Sequence, residues 1–237
     1  MSESSSGSFF PIAKITRRRW AFALTKLLAA VGFSVKASAA AEKEPKWRSR
    51  PADPYPLVDC VVCDSVLDED SEFIDVDGRE MRVCGNLDCG SQFVSSTERW
   101  MEVADERMTD QQKPLYPLES CLVKGESLET TGAVPFVFRN RLFLLSSEDC
   151  RDAIRQEPEK YFRLLNKAVV EKQKPNYPLD KCIVSGQALG EKAIDYVVAN
   201  QLVRLADESQ IEAFDRMPGA FLADLRKLAG GASGDVG

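Results

Sequence analysis

The chain has 237 residues, 44% of them hydrophobic, which is enough apolar material for one or two ordinary domains or for several small ones. Its formal net charge of −6 argues against a general nucleic-acid surface, because that work needs a basic face. Histidine is absent, so the usual neutral-pH proton shuttle and the commonest nitrogen ligand for zinc or copper are missing, and any metal site rests on sulfur or carboxylate.

At the N-terminus no acidic residue occurs from Ser4 to Ala41, while Lys14, Arg17, Arg18, Arg19 and Lys26 precede the apolar run Leu27 to Val35. A basic region, a short apolar region and the small residues Ala37 and Ala39 form the pattern of a cleaved export signal, with the cut expected after Ala39. The stretch Thr16-Arg17-Arg18-Arg19-Trp20 resembles a twin-arginine signal, which exports a module already folded around its metal. A membrane anchor and an organellar transit peptide are the rival readings. Trp20 to Val35 is only sixteen residues and contains Lys26, too short and too charged to span a bilayer comfortably. Loss of residues 1–39 leaves 25 basic against 36 acidic residues, in a periplasmic or secreted protein with no membrane span. Residues 40–54 mix Lys, Glu, Arg and Pro and read as a linker.

A repeat follows. Tyr-Pro-Leu begins at Tyr55, Tyr116 and Tyr177, a spacing of 61 both times. In the same register come Cys60, Cys121 and Cys182, then Val62, Val123 and Val184, then Leu67, Leu128 and Leu189. Three copies of one unit therefore fill residues 55–115, 116–176 and 177–229, with a Gly-rich flexible tail at 230–237. The linking segments Lys113-Pro114-Leu115 and Lys174-Pro175-Asn176 are short, which predicts that the units pack directly on one another.

Within each unit, alternating apolar residues flank a turn signal and predict a β-hairpin. The first runs from Phe73 to Val83 around Asp77-Gly78, the second from Phe136 to Leu145 around Arg139-Asn140, and the third from Tyr196 to Leu205 around Ala199-Asn200. Ser147 and Asp207 then stand where helices running through Ile154 and Phe214 need caps, and Pro158 and Pro218 open a second helix. In the first unit Phe93 takes the apolar position, and Ser95-Ser96-Thr97 precedes an amphipathic stretch with Trp100, Met101 and Val103. The predicted fold is α+β, three tandem small modules of hairpin, cysteine knuckle and two helices.

The seven cysteines thin out along the chain. Cys60 and Cys63 precede the first hairpin with two residues between them, and Cys84 and Cys89 follow it, so a closed hairpin brings four thiolates to one ion at ~2.3 Å. Sulfur-only ligation suits zinc or copper(I). The same four are also able to form two disulfides in an oxidising compartment, or to act in redox chemistry at Cys60-Val61-Val62-Cys63. The second unit keeps only Cys121 and Cys150, with Ser146 and Ser147 in its knuckle, and the third keeps Cys182 with Ala206, Asp207 and Gln210. Those three cysteines read as small buried hydrophobes, and the three tyrosines as packing anchors.

The pattern Tyr-Pro-Leu, two residues, Cys, one residue, Val-Ser-Gly, seen at Tyr177 to Gly186 and followed by hairpin, knuckle and helix, resembles the YHS/TRASH family. The resemblance covers Tyr55 to about Leu228. It implies small treble-clef-like modules that bind or sense metal, many of them in secreted or metal-handling proteins of bacteria. The family knuckle carries onto Cys84, Cys89 and Phe93 in the first unit and onto Cys150 and Ile154 in the second. The first unit departs from it by one extra knuckle residue, by Gly85 in place of a second cysteine, and by the additional Cys63.

The expected function is therefore metal binding without catalysis, through Cys60, Cys63, Cys84 and Cys89. Four protein ligands leave no coordination place for an activated water. No phosphate-binding Gly-rich loop, Gly-x-Ser-x-Gly elbow or paired-carboxylate motif is present. The alternative is a repeat scaffold for protein partners, whose cysteines are free or joined as disulfides.

Overall fold

The computed structural model describes residues 51–231; the expected signal at 1–39, most of the linker and residues 232–237 of the expected tail lie outside the described residues, while positions 230 and 231, expected to open that tail, end the last helix instead. The described chain is mixed α+β, with seven α-helices and three antiparallel two-stranded sheets. In chain order these are β1 (Glu72–Val76), β2 (Arg79–Val83), α1 (Leu87–Ser95), α2 (Thr97–Gln112), α3 (Leu128–Thr131), β3 (Val134–Phe138), β4 (Arg141–Leu145), α4 (Cys150–Gln156), α5 (Pro158–Gln173), β5 (Ile194–Val198), β6 (Gln201–Leu205), α6 (Gln210–Arg216) and α7 (Pro218–Gly231). Hairpin, short helix and long helix thus recur three times. Among the described residues no helix is long and apolar enough to cross a membrane.

The hairpins form where the turn residues allow it. Both central residues of each turn have positive φ: Asp77 and Gly78 (53° and 77°), Arg139 and Asn140 (49° and 69°), Ala199 and Asn200 (49° and 58°). That combination matches the twist of the flanking strands. Registers then agree pair for pair, with Glu72 opposite Val83, Val134 opposite Leu145 and Ile194 opposite Leu205. Pro158 and Pro218 open α5 and α7 as expected, since the missing N–H of proline is harmless in the first turn. The helices α4 and α6 begin three residues after Ser147 and Asp207, at Cys150 and Gln210. Asp207 instead accepts the N–H of Ser209 at 2.8 Å, and the Ser147 carbonyl accepts from Cys150 N, so both residues shape the turn ahead of the helix.

Each unit has its own apolar core. Tyr55, Met81, Phe93 and Met108 anchor the first, Phe143, Ile154, Phe162 and Leu165 the second, and Val203, Phe214, Leu222 and Leu225 the third. Tyr55 and Tyr116 are buried and Tyr177 half-buried, consistent with anchoring roles. A small fourth cluster of Val169, Val197 and Leu202 joins α5 to the third hairpin.

A set of polar contacts between units also repeats along the chain. The α2 residue Gln112 donates to the Asn140 carbonyl at 3.0 Å and accepts from Leu142 N at 2.8 Å; sixty-one positions on, Gln173 donates to the Asn200 carbonyl and accepts from Leu202 N, both at 2.8 Å. The turn asparagines complete the pattern, because Asn140 donates to the Glu80 carbonyl at 2.7 Å and Asn200 to the Leu142 carbonyl at 2.8 Å. The long helices α2 and α5 thereby each grip the hairpin of the following unit. The third unit meets the first: Arg82 donates to the carbonyls of Asp215 and Arg216, and a Cβ on Gly219 would overlap the Leu57 carbonyl.

Residues 51–54 close the stretch read as a linker, yet Asp53 is only 5% exposed and Pro54 is buried. The Asp53 carboxylate receives the fully buried Arg141 guanidinium in a two-pronged pair (Nε at 2.5 Å, Nη2 at 2.7 Å) and also accepts Ala199 N at 2.7 Å. Sequence composition concealed this role. Removing one member of a buried pair strands the other charge, which costs about 3–5 kcal/mol, while replacing both with apolar groups is close to neutral. Asp53→Ala is therefore expected to lower the urea-unfolding free energy by about 3–5 kcal/mol, and Asp53→Ala with Arg141→Met to recover most of that loss.

Candidate metal centre

Two segments carry the four cysteines of the first unit, and the backbone fixes both. Ahead of the hairpin, Asp59 and Val66 pair as an isolated bridge, and the loop between them is closed by Cys60 N donating to the Ser65 carbonyl (2.8 Å) and Asp64 N to the Cys60 carbonyl (3.0 Å). This tight turn recurs at Cys121 and Cys182 with matching bonds. It needs one residue of positive φ, supplied by Gly125 and Gly186 in the later units and by Asp64 (φ 61°) in the first, where the short polar side chain tolerates the left-handed region. Asp64 also pairs with Arg107 of α2 at 2.7 Å. After the hairpin, Cys84 directly follows β2, and Cys89 lies in the first turn of α1, which Asn86 caps by accepting Asp88 N.

Folding brings all four together. Their Sγ atoms lie within 4.8 Å of one another, with Cys63 to Cys84 and Cys84 to Cys89 both at 3.4 Å. A tetrahedral ion with sulfur at ~2.3 Å has edges of about 3.8 Å, so small shifts seat one ion among them. None is bonded to another, and all seven cysteines are free thiols.

The four sulfurs do not share one environment. Cys60 and Cys89 are buried, Cys84 is half-buried, and Cys63 is exposed. The Ser65 hydroxyl, 3.3 Å from Cys63 Sγ, and then the Ser65 backbone and Cys84, pull the Cys63 thiol down to about 6. Burial pushes Cys84 and Cys89 up, and Cys84 raises Cys89 further. A thiolate at Cys89, in the first turn of α1, is favoured by the positive end of the helix dipole, and a bound cation offsets the cost that burial imposes on it.

The corresponding positions show what replaces the cluster. In the second unit Cys121 and Cys150 remain, 3.8 Å apart and buried, Ser146 follows the hairpin where Cys84 does, and Lys124 stands in the place of Cys63. Its ammonium donates to Ser147 Oγ at 2.8 Å and to both Asp149 oxygens at 2.8 and 3.1 Å, which raises Lys124 and lowers Asp149 from their ordinary values. A fixed side-chain cation thus ties knuckle turn to helix start. In the third unit Ser185 holds that place and Cys182 is the single cysteine, drawn downward because bonds from Ser185 and neighbouring backbone groups outweigh its burial.

All four residues expected from sequence are therefore brought together, and Cys182 has no partner sulfur among the described residues. Sequence reasoning missed Ser65 and Lys124. The 61-residue register that aligned Cys60 with Cys121 and Cys182 also aligns Cys63 with Lys124 and Ser185, and following it one turn further reveals the exchange of thiol for ammonium.

Compared with protein-family models, curated proteins and solved structures, the chain matches none.

Two outcomes check this geometry. At pH 7 the metal-free protein is expected to take up iodoacetamide first at Cys63, mostly thiolate there, with the rate falling as pH drops through about 6 and Cys63 gains its proton; peptide mapping by mass spectrometry reads the order. Restoring sulfur in the second unit by Lys124→Cys with Ser146→Cys is expected to add one bound cadmium per chain, counted by elemental analysis.

Proposed function

We propose that Cys60, Cys63, Cys84 and Cys89 together hold one zinc or copper(I) ion, in an exported, non-enzymatic repeat protein of YHS/TRASH-like build. The observation that carries this reading is the mutual approach of the four Sγ atoms to within 4.8 Å from two separate backbone segments. A knuckle turn, a hairpin and a helix start meeting at one cluster is also the arrangement that a treble-clef-like module requires. With no histidine in the chain, the ligands are thiolates alone, and these favour zinc and copper(I) over harder cations. The sulfurs fill a tetrahedral shell, so the ion is held or sequestered and activates no water.

A second reading, a scaffold for protein partners, is favoured by one specific observation: two of the three units pack fully with no ligand set of their own. The two readings part on metal content.

On the exported chain, whose first residue is expected to be Ala40, elemental analysis is expected to find one metal ion per chain. Cys84→Ser is expected to reduce this to below a tenth of an equivalent. Quantitative disulfides with no metal in the parent protein would instead select the scaffold.

A further inference from the structure

Cys121 and Cys150 hold in the second unit the places that Cys60 and Cys89 hold in the first, sixty-one positions earlier. Both are 1% exposed, and their Sγ atoms stand 3.8 Å apart. Backbone fixes each of them: Cys121 lies in the knuckle turn, where its N–H donates to the Glu126 carbonyl at 2.8 Å, and Cys150 opens α4. The second hairpin joins these two segments, paired from Val134 opposite Leu145 to Phe138 opposite Arg141. The approach of the two sulfurs therefore follows from the fold and not from a chance rotamer.

Burial agrees with the reading of these cysteines as small hydrophobes, but apolar bulk alone does not explain the polar surroundings of their sulfurs. Ser147 Oγ lies 3.5 Å from Cys150 Sγ and Ser146 Oγ 3.9 Å from it, and the Lys124 ammonium donates to the same Ser147 hydroxyl at 2.8 Å. Burial opposes ionisation of Cys121, yet backbone N–H groups of Lys124 and Ser146 directed at its sulfur carry the thiol below its ordinary value. The second unit has only these two cysteines, with an ammonium in the place of Cys63, so they cannot complete a four-thiolate shell. What two facing thiols are able to do is join. An S–S bond is about 2.05 Å long, so closing the gap moves each sulfur by roughly 1 Å, within reach of small side-chain rotations.

We infer that Cys121 and Cys150 are a disulfide-forming pair, oxidised by a low-molecular-weight disulfide while the second unit folds. The Cys121 thiol gives its proton to water, and its sulfur attacks one sulfur of the donor. A new S–S bond forms there as the donor's own S–S bond breaks, and the departing sulfur keeps the electron pair. Cys150, likewise deprotonated, then attacks the Cys121 sulfur, and the second donor sulfur leaves with the electron pair of the mixed disulfide. Both departing thiolates take up protons, so two protein thiols are oxidised and one donor disulfide is reduced to two thiols. Exchange precedes the packing of α4, which then shields the finished bond from reductants. The bond spans 29 positions, from the knuckle turn through the hairpin to α4, and restricts the unfolded chain. It uses none of the four cysteines of the first unit, so it stands whether or not that unit holds an ion.

In the experiment the chain from Ala40 onward is reduced, unfolded in urea, refolded in a mixture of reduced and oxidised glutathione, blocked with iodoacetamide and digested without reduction for mass spectrometry. Most chains are expected to yield one peptide pair joined through Cys121 and Cys150. Dithiothreitol is expected to cleave that bond at least about tenfold faster in urea than in the folded protein, because access limits the exchange. Cys121 and Cys150 recovered alkylated, capped by glutathione or joined to cysteines of other units overturns the inference, and so does cleavage at equal rates in the two conditions. Metal content plays no part in either readout, so the metal-binding reading stands or falls separately.

Discussion

The architecture depends on one buried ion pair. Asp53 and Arg141 sit at the turns of the second and third hairpins, where the carboxylate takes both prongs of the guanidinium and the Ala199 N–H, and Arg141 extends onward to the Val197 carbonyl and to Asn166. A guanidinium with less than a hundredth of its residue surface exposed is tolerable only with such complete satisfaction. Because its partners come from the segment ahead of the first unit, from the second and from the third, the pair fixes the units relative to one another. Hydrophobic burial alone fixes them poorly, since apolar contact is indifferent to small rotations and a two-pronged hydrogen-bonded pair is not.

Around that centre the units hold together by a repeated polar device. A glutamine at the end of one long helix satisfies the turn of the following hairpin, and an asparagine in that turn reaches back to the preceding strand. These bonds consume turn carbonyls and strand-edge backbone groups that a two-stranded hairpin leaves without partners, and so they solve a local problem and an assembly problem together. The first hairpin has Gly78 in place of the asparagine, and there Arg79 reaches Asn140 Oδ1 at 2.7 Å instead. Variation in the knuckle is independent of this framework, which lets one unit carry four thiols, another a lysine tie and the third a single sulfur on the same scaffold.

Much of this was legible in sequence because periodic signals are local. Tyr-Pro-Leu at Tyr55, Tyr116 and Tyr177 gave the unit length, and Asp77-Gly78, Arg139-Asn140 and Ala199-Asn200 gave the turns, since positive φ restricts which residues stand there. Cys60, Cys63, Cys84 and Cys89 were recoverable because a hairpin closes the distance between its own ends. Asp53 was not. Its partners lie 88 and 146 positions away, and nothing in its polar surroundings distinguishes a buried carboxylate from a solvated one. Ser147 and Asp207 misplaced the helix caps by two residues, the caps being Asp149 and Ser209, for a related reason: a side chain that shapes a turn and one that caps a helix use the same atoms. Lys124 carries no ligand signature, because an ammonium at that position has the opposite chemistry to a thiolate.

The contact of Gly219 with Leu57, together with the Arg82 bonds to the end of α6, has a bearing on how such a protein evolves. Stacked repeat arrays normally stay open at both ends, so that copies are gained or lost freely and special end pieces shield the exposed faces. Here the last copy lies against the first, and each serves as the other's end piece. Copy number is thereby written into geometry: a duplication adding a fourth copy would have to break the seam at Gly219, and selection would act on it as on a breakage rather than as an extension.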